Sequence, residues 1–90
     1  MIKWIFTITY NFDVDYIAKC FDTERDALME MYYMLEEEVE VIQRESEYEP
    51  SVLKWSDDDI VLVYDEDYSI YDPNWSQRDC AYYRIFKVEC

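Results

Sequence analysis

The chain has no glycine and no histidine among its 90 residues, and each absence excludes familiar kinds of site. Without histidine, the side chain used most often as general base, proton shuttle and metal ligand is missing, so catalytic triads and histidine-based zinc sites are excluded. Without glycine, the usual phosphate-binding loops have no signature in this sequence. We therefore expect no enzymatic activity, no catalytic residue, no cofactor and no bound metal. The alternative for metal is binding of Ca²⁺ or Mg²⁺ by the acidic turns Asp57–Asp59 and Asp65–Asp67.

Basic residues are scarce, because 8 Lys and Arg stand against 22 Asp and Glu, for a net charge of −14. A chain of this charge repels nucleic-acid phosphates and anionic lipid, and it attracts proteins with basic surfaces. No run approaches the ~20 apolar residues of a membrane span, and the N-terminal run has no signal-peptide pattern. These features predict a cytoplasmic protein whose partner is a protein with a basic surface. They predict no direct contact with nucleic acid and none with a membrane.

The apolar content is too high for a disordered acidic tail, since hydrophobic residues make up 51% of the chain and aromatic residues 19%. The length suits one folded domain spanning residues 1–90. The three cysteines Cys20, Cys80 and Cys90 have no C-x-x-C spacing, which favours free thiols over a disulfide framework.

The hydrophobic pattern predicts an α+β fold. Apolar residues recur at helical spacing from Ala27 to Ile42, which predicts a helix from about Glu24 to about Glu45, capped by Asp22 or Thr23. The β-β-α-β-β-β order indicates an antiparallel sheet of four to five strands with one long helix packed across one face. The predicted strands are Ile2–Tyr10, Asp15–Phe21, Val52–Trp55, Ile60–Tyr64 and Ala81–Val88, with Tyr68–Tyr71 as an optional further strand.

Acidic residues crowd the polar side of the predicted helix and two predicted turns. Like charges four residues apart on a helix destabilise it by a few tenths of a kcal/mol per pair, so a chain selected only for stability would intersperse lysine. Rows of carboxylates at this spacing resemble the phosphates of a nucleic-acid strand and fit a basic groove; the alternative is a solvated face of an acidic protein. The candidate partner-binding acids are Asp26, Glu30, Glu36, Glu37, Glu40, Asp57, Asp58, Asp59, Asp65, Glu66 and Asp67.

The aromatic residues, which include ten Tyr, exceed what one small core accommodates with satisfied hydroxyl groups. Alternation along a strand places the adjacent Tyr82 and Tyr83 on opposite faces of the sheet. Together with Trp55 and Trp75, the aromatic residues outside the core predict a binding surface on the sheet face that the helix leaves uncovered. A homodimer through that face is the alternative to a foreign partner.

Two segments of the chain, Ile8–Asp13 and Phe21–Leu28, resemble small proteins of Firmicute phages and mobile elements. In size, acidity and aromatic content the chain is also similar to anti-CRISPR and other anti-defence inhibitors. The resemblance implies a bacterial host and a function as an inhibitor that occupies the nucleic-acid groove of a defence effector by mimicking nucleic acid. It implies no site residues of its own.

Overall fold

The computed structural model describes residues 1–46, 50–64 and 79–89, and it confirms the α+β fold. The helix α1 spans Glu24–Ser46, one residue longer than the sequence predicts. The strands are β1 Ile2–Tyr10, β2 Tyr16–Phe21, β3 Ser51–Ser56, β4 Asp59–Val63 and β5 Cys80–Glu89. The predicted strand Tyr68–Tyr71 lies outside the described residues.

The strands form one five-stranded sheet in the order β2-β1-β5-β4-β3, and every described pairing is antiparallel. The long central pair is β1 with β5, in which Ile8 lies opposite Tyr83. In the neighbouring pair, Ile8 also lies opposite Ile17 of β2. The C-terminal strand therefore sits inside the sheet, between the first strand and the β3–β4 hairpin.

The helix packs on one face of the sheet because its apolar stripe meets the inward residues of alternating strands. Phe6 and Ile8 of β1 are buried against this stripe. The stripe consists of Ala27, Met31, Leu35 and Ile42. Burying one such large aliphatic side chain stabilises the fold by about 1.5–3 kcal/mol, so Leu35→Ala is expected to cost about 2–5 kcal/mol once the cavity is included.

The start of the helix is defined by Thr23. The Asp26 amide donates a hydrogen bond to Thr23 Oγ1 at 3.1 Å, and the Ala27 amide donates to the Thr23 carbonyl at 3.3 Å. Of the two caps that the sequence allows, Thr23 is therefore the one used. Asp22 instead pairs with Lys3.

The second face of the sheet is covered over only part of its area. As predicted, Tyr82 and Tyr83 lie on opposite faces: Tyr83 is in the helix-side core, and Tyr82 packs against a second cluster. That second cluster consists of the buried residues Leu53, Val61, Val63 and Cys80. The prediction that this face is uncovered is therefore wrong for β3, β4 and the start of β5. The continuous apolar run of β4 has buried side chains on both faces of the sheet.

The rest of that face is exposed, with Phe86 of β5 and Tyr16 of β2 open to solvent. Cys20, on the edge strand β2, is exposed as well, whereas Cys80 is buried, and neither takes part in a disulfide. Burial raises the pKa of the Cys80 thiol, with a smaller contribution from Asp79. Cys90 lies outside the described residues.

One end of the sheet is tied together by hydrogen bonds between segments far apart in sequence. The Cys80 amide donates to Asn11 Oδ1 at 2.8 Å, and the Asn11 amide donates to the Cys80 carbonyl at 3.2 Å. Beside them, the Tyr64 amide donates to the Asp79 carbonyl at 3.0 Å. These bonds hold the β1–β2 loop, the end of β4 and the start of β5 in a defined arrangement.

Candidate functional sites

The outer face of α1 carries predicted acids that have no ionic partner in the described part of the chain. Glu36, Glu37 and Glu40 are exposed, and none of the ion pairs formed among the described residues includes them. Asp26, in the first turn of the helix, is exposed and unpaired in the same sense, and it lies near the positive end of the helix dipole. The negative charge of this face is therefore left for solvent or for a partner.

Two large apolar side chains stand among these acids. Met29 is 60% exposed and Tyr33 is 63% exposed, one helical turn apart. Tyr33 borders a shallow depression of about 360 Å³ that is also lined by Glu36, Glu37, Glu40 and Arg44. We call the surface formed by Met29, Tyr33, Glu36, Glu37 and Glu40 the helix patch.

Glu30 differs from the acids of the helix patch. Its carboxylate is half-buried and accepts a hydrogen bond from Lys19 Nζ of β2 at 3.2 Å. This ion pair connects the helix to the edge strand. An exposed pair of this kind contributes up to about 1 kcal/mol, which gives Glu30 a structural use before any contact with a partner.

The acids of the β3–β4 turn are all engaged within the fold. Asp57 pairs with Lys54 at 2.9 Å, and Asp59 pairs with Arg84 Nε of β5 at 3.3 Å. Asp58 Oδ1 accepts a hydrogen bond from Ser56 Oγ at 2.6 Å. The sequence predicted that Asp59 belongs to the turn, and this is wrong, because Asp59 is the first residue of β4.

Tyr32 connects this turn to the helix. Its hydroxyl donates to the Asp57 carbonyl at 3.3 Å, and Lys54 Nζ lies 5.6 Å from the centre of its ring. The hydrogen bond to Asp57 raises the pKa of Lys54, and the hydrogen bond to Tyr32 adds to this effect. The structure thus brings the turn acids and the helix to one side of the molecule, but Asp57 and Asp59 are already paired with bases and Asp58 is hydrogen-bonded to Ser56.

Trp55 lies near the end of the edge strand β3, 57% exposed, where the register between β3 and β4 shifts. A tryptophan at such an edge offers a large apolar contact surface. The remaining predicted partner-binding residues, Asp65, Glu66, Asp67 and Trp75, lie outside the described residues.

A second candidate site, which the sequence does not predict, lies at the tied end of the sheet. Here a cavity of about 600 Å³ opens between the β1–β2 loop, α1 and the end of β4. We call it the loop-end cavity. Its lining residues are Tyr10, Phe12, Asp13, Asp15, Tyr16, Ile17, Glu38, Tyr64 and Asp79.

Glu38 is the residue of this cavity that has a signal in the sequence. It follows Met31 by seven positions and precedes Ile42 by four, so it falls in phase with the buried stripe of α1 although it is charged. The Tyr64 hydroxyl donates a hydrogen bond to Glu38. Burial raises the pKa of Tyr64 well above its usual range, and the neighbouring Tyr83 and Glu38 raise it further.

The described residues offer no group of three or more acidic or cysteine side chains placed to hold one metal ion. Within the same residues, no helix is long and apolar enough to cross a membrane. Among the described residues, no charged or polar side chain is buried; the buried side chains are those of the core.

The fold places the chain in the class of α+β proteins in which one long helix lies across a five-stranded antiparallel sheet. Comparison with protein-family models, with curated proteins and with solved structures finds no match to the chain. Function is therefore inferred from the surfaces of the chain itself.

Proposed function

We propose that the chain is a non-enzymatic inhibitor that lays the helix patch into the basic nucleic-acid-binding groove of another protein. The resemblance to phage proteins suggests that the inhibited protein is an effector of bacterial defence. One observation supports the proposal most directly: Glu36, Glu37 and Glu40 have no ionic partner in the described structure, whereas Glu30, Asp57 and Asp59 each have one.

The uncompensated acids carry a cost that folding alone does not explain. Glu36 and Glu40 are four residues apart and Glu37 and Glu40 are three apart, so each pair repels by a few tenths of a kcal/mol. Docking against lysine and arginine side chains would turn this repulsion into attraction and would speed association at low salt. A row of carboxylates on a rigid helix also keeps its spacing without being ordered on binding.

The apolar residues of the helix patch suit the same purpose. Charge pairs at the edge of an interface contribute mainly to association rate, whereas buried aromatic side chains contribute most of the affinity. Tyr33 and Met29 lie beside the acids and are exposed enough to be buried by a partner. The helix patch therefore combines an attractive field with two apolar anchors.

The test is displacement of labelled duplex DNA from purified RNA-guided nucleases and restriction endonucleases, followed by fluorescence anisotropy. We expect the chain to displace DNA from its target effector, with an affinity that falls steeply as salt rises. The triple variant E36K/E37K/E40K should lose at least about tenfold in affinity, since close charge pairs at interfaces contribute ~1.5 kcal/mol or more.

The matched control is the triple variant D13K/D15K/E89K, which changes the net charge equally but leaves α1 intact. It should retain most of the affinity, and circular dichroism should show that both variants are folded. Displacement that is insensitive to salt and to the helix variant would contradict nucleic-acid mimicry.

A second candidate function rests on the exposed part of the helix-free sheet face. Phe86 is 50% exposed there, and Tyr16 of the edge strand is exposed as well. In this alternative the chain is an interaction or regulatory protein that forms a homodimer through this face, and the acids only keep it in solution. Sedimentation tests it: a stable dimer that Phe86→Lys dissociates supports this alternative, and a monomer at high concentration contradicts it.

A further inference from the structure

Three aromatic rings form one wall of the loop-end cavity. The Tyr10 and Phe12 ring centroids are 5.5 Å apart with the ring planes at 59°, and the Phe12 and Tyr64 centroids are 5.6 Å apart with the planes at 88°. At these distances and angles the rings pack edge to face against one another, as aromatic pairs prefer. They give the cavity an aromatic wall, and aromatic surface attracts an ammonium group.

The charged side chains that the structure describes around this space are all acidic. The described residues that line the cavity include the four carboxylates Asp13, Asp15, Glu38 and Asp79, and among these described residues there is no lysine or arginine. Burial raises the pKa of Tyr10, and the nearby charges of Glu38, Asp13 and Asp15 raise it further, as a concentrated negative field requires. An anionic ligand would be repelled here, and a cationic ligand would be attracted.

The size and shape of the cavity suit a small organic cation better than a bare metal ion. Its volume of about 600 Å³ falls within the range typical of small-molecule sites, which is about 300–1,000 Å³. No three acidic side chains among the described residues converge closely enough to chelate one ion. The negative charge is instead spread around aromatic surfaces, which complements a cation with apolar substituents.

The walls are held in place before any ligand arrives. Asn11 is hydrogen-bonded to Cys80 in both directions, and the Tyr64 amide is bonded to the Asp79 carbonyl. The Asp15 amide donates to Asp13 Oδ1 at 3.1 Å within the β1–β2 loop. A site whose backbone is already ordered loses less entropy on binding.

We propose that the loop-end cavity is a binding site for an alkylammonium group, with Tyr10, Phe12 and Tyr64 contacting its methyl or methylene groups and Glu38 facing its charge. Such a group is found on free quaternary amines and on lysine side chains of proteins, and the cavity recognises the chemistry that both share. This site is separate from the helix patch, and it holds whether or not the proposed function does.

The experiment is an NMR titration of the ¹⁵N-labelled chain with four probes. Two probes carry a quaternary ammonium group, choline and N-acetyl-trimethyllysine methylamide; the third is n-butylamine; the fourth is 3,3-dimethylbutan-1-ol, the uncharged carbon analogue of choline. We expect saturable shifts at residues 10–17, 64 and 79 with the cations, with a Kd on the order of 1 mM or tighter. The uncharged analogue should bind at least about fivefold more weakly.

The relative affinities of the cations distinguish the two sources of the group. Tighter binding of choline indicates a free amine, and tighter binding of the lysine derivative indicates a side chain presented by a protein. Absence of saturable shifts with every cation, or equal binding of the uncharged analogue, would overturn the proposal.

The matched pair of variants is Phe12→Ala and Phe86→Ala. The two phenylalanines are equally exposed, 51% and 50%, but Phe86 lies on the other side of the sheet. Phe12→Ala should weaken choline binding about fivefold, whereas Phe86→Ala should change it by less than about twofold. Equal weakening by both variants would contradict the assignment.

Two further variants keep the test independent of folding and of the proposed function. Glu38→Gln retains the shape of the side chain and should weaken choline binding about fivefold, because it removes one of the negative charges that line the cavity. The helix variant E36K/E37K/E40K should leave choline binding within about twofold if only local charge matters. Weaker choline binding in the helix variant but not in Glu38→Gln would overturn the proposed cation site. The function of the helix patch would still be tested separately, by DNA displacement.

Discussion

Two runs of three acidic residues, Glu36–Glu38 on α1 and Asp57–Asp59 at the β3–β4 turn, look alike in sequence but have different surroundings in the structure. In the turn, every carboxylate has a partner within the fold: Lys54, Ser56 or Arg84. On the helix, Glu36 and Glu37 point outward without an ionic partner among the described residues, and Glu38 faces the loop-end cavity, where Tyr64 is bonded to it.

The difference follows from backbone geometry. Successive residues of a helix are about 100° apart around its axis, so three adjacent glutamates cannot share one environment. A tight turn between two paired strands instead keeps neighbouring side chains close to Lys54 of the same hairpin and to Arg84 of the adjacent strand β5. A run of acids in a sequence is therefore not a unit of function; each carboxylate has the use that its element gives it.

The largest expected effect concerns Glu38 and the tyrosines around it. Burial raises the pKa of Tyr83 and of Tyr64 above the ordinary value of 10.0, and Glu38 adds to both shifts. Since the folded-state pKa is the higher one, the stabilisation is fully present below pH 10 and is lost as pH rises above it. We expect the free energy of unfolding to fall by up to about 1.4 kcal/mol per pH unit for Tyr83, and by less for the more exposed Tyr64.

Urea unfolding at a series of alkaline pH values measures this loss. Tyr64→Phe should reduce the slope, since it removes one of the phenols whose pKa the fold raises. A free energy of unfolding that stays constant above pH 10 would show that these phenols are not shifted by the fold.

The next effect concerns the turn. The variant D57N/D58N/D59N removes two ion pairs and weakens a side-chain hydrogen bond, so it should lower the free energy of unfolding by about 1–2 kcal/mol. Urea unfolding near neutral pH measures it, with Arg84→Met as a second way to break the Asp59 pair. No change in either variant would mean that these contacts contribute nothing to the fold.

The smallest effect concerns the helix patch. The variant E36Q/E37Q/E40Q removes the same number of charges as the turn variant, but it relieves repulsion and breaks no ion pair formed in the described structure. It should therefore raise the free energy of unfolding by about 0.5 kcal/mol at low salt, with the gain shrinking as salt increases. A clear loss of stability would show that these glutamates have partners within the fold.

The sequence was sufficient for the elements whose pattern is local. Alternation from Ile2 to Tyr10 predicted β1 to the residue, and the apolar spacing from Ala27 to Ile42 predicted the helix within one residue of its end. Contacts between distant segments could not be predicted from the sequence, because no local pattern encodes them. The pairing of Ile8 with Tyr83, which puts β5 inside the sheet, is of this kind.

The same limit applies to the sites. The outward acids of α1 follow from helical spacing alone, but the partners of Asp57 and Asp59 depend on where β3 and β5 lie. The loop-end cavity depends on bringing Phe12 next to Tyr64 across 52 positions of the chain, 64 − 12, and only the folded sheet does so. Glu38 alone had a sequence signal, as a charged residue in phase with the core.

The most direct test of the central claim compares E36Q/E37Q/E40Q with D57N/D58N/D59N as competitors for the effector identified by DNA displacement. Both variants lose three negative charges, so a difference in affinity between them cannot come from net charge. If the unpaired helix acids make the contact, the helix variant should bind at least about tenfold more weakly than the wild type, and the turn variant should stay within about twofold. Equal weakening of both variants, or a greater loss in the turn variant, would contradict the claim.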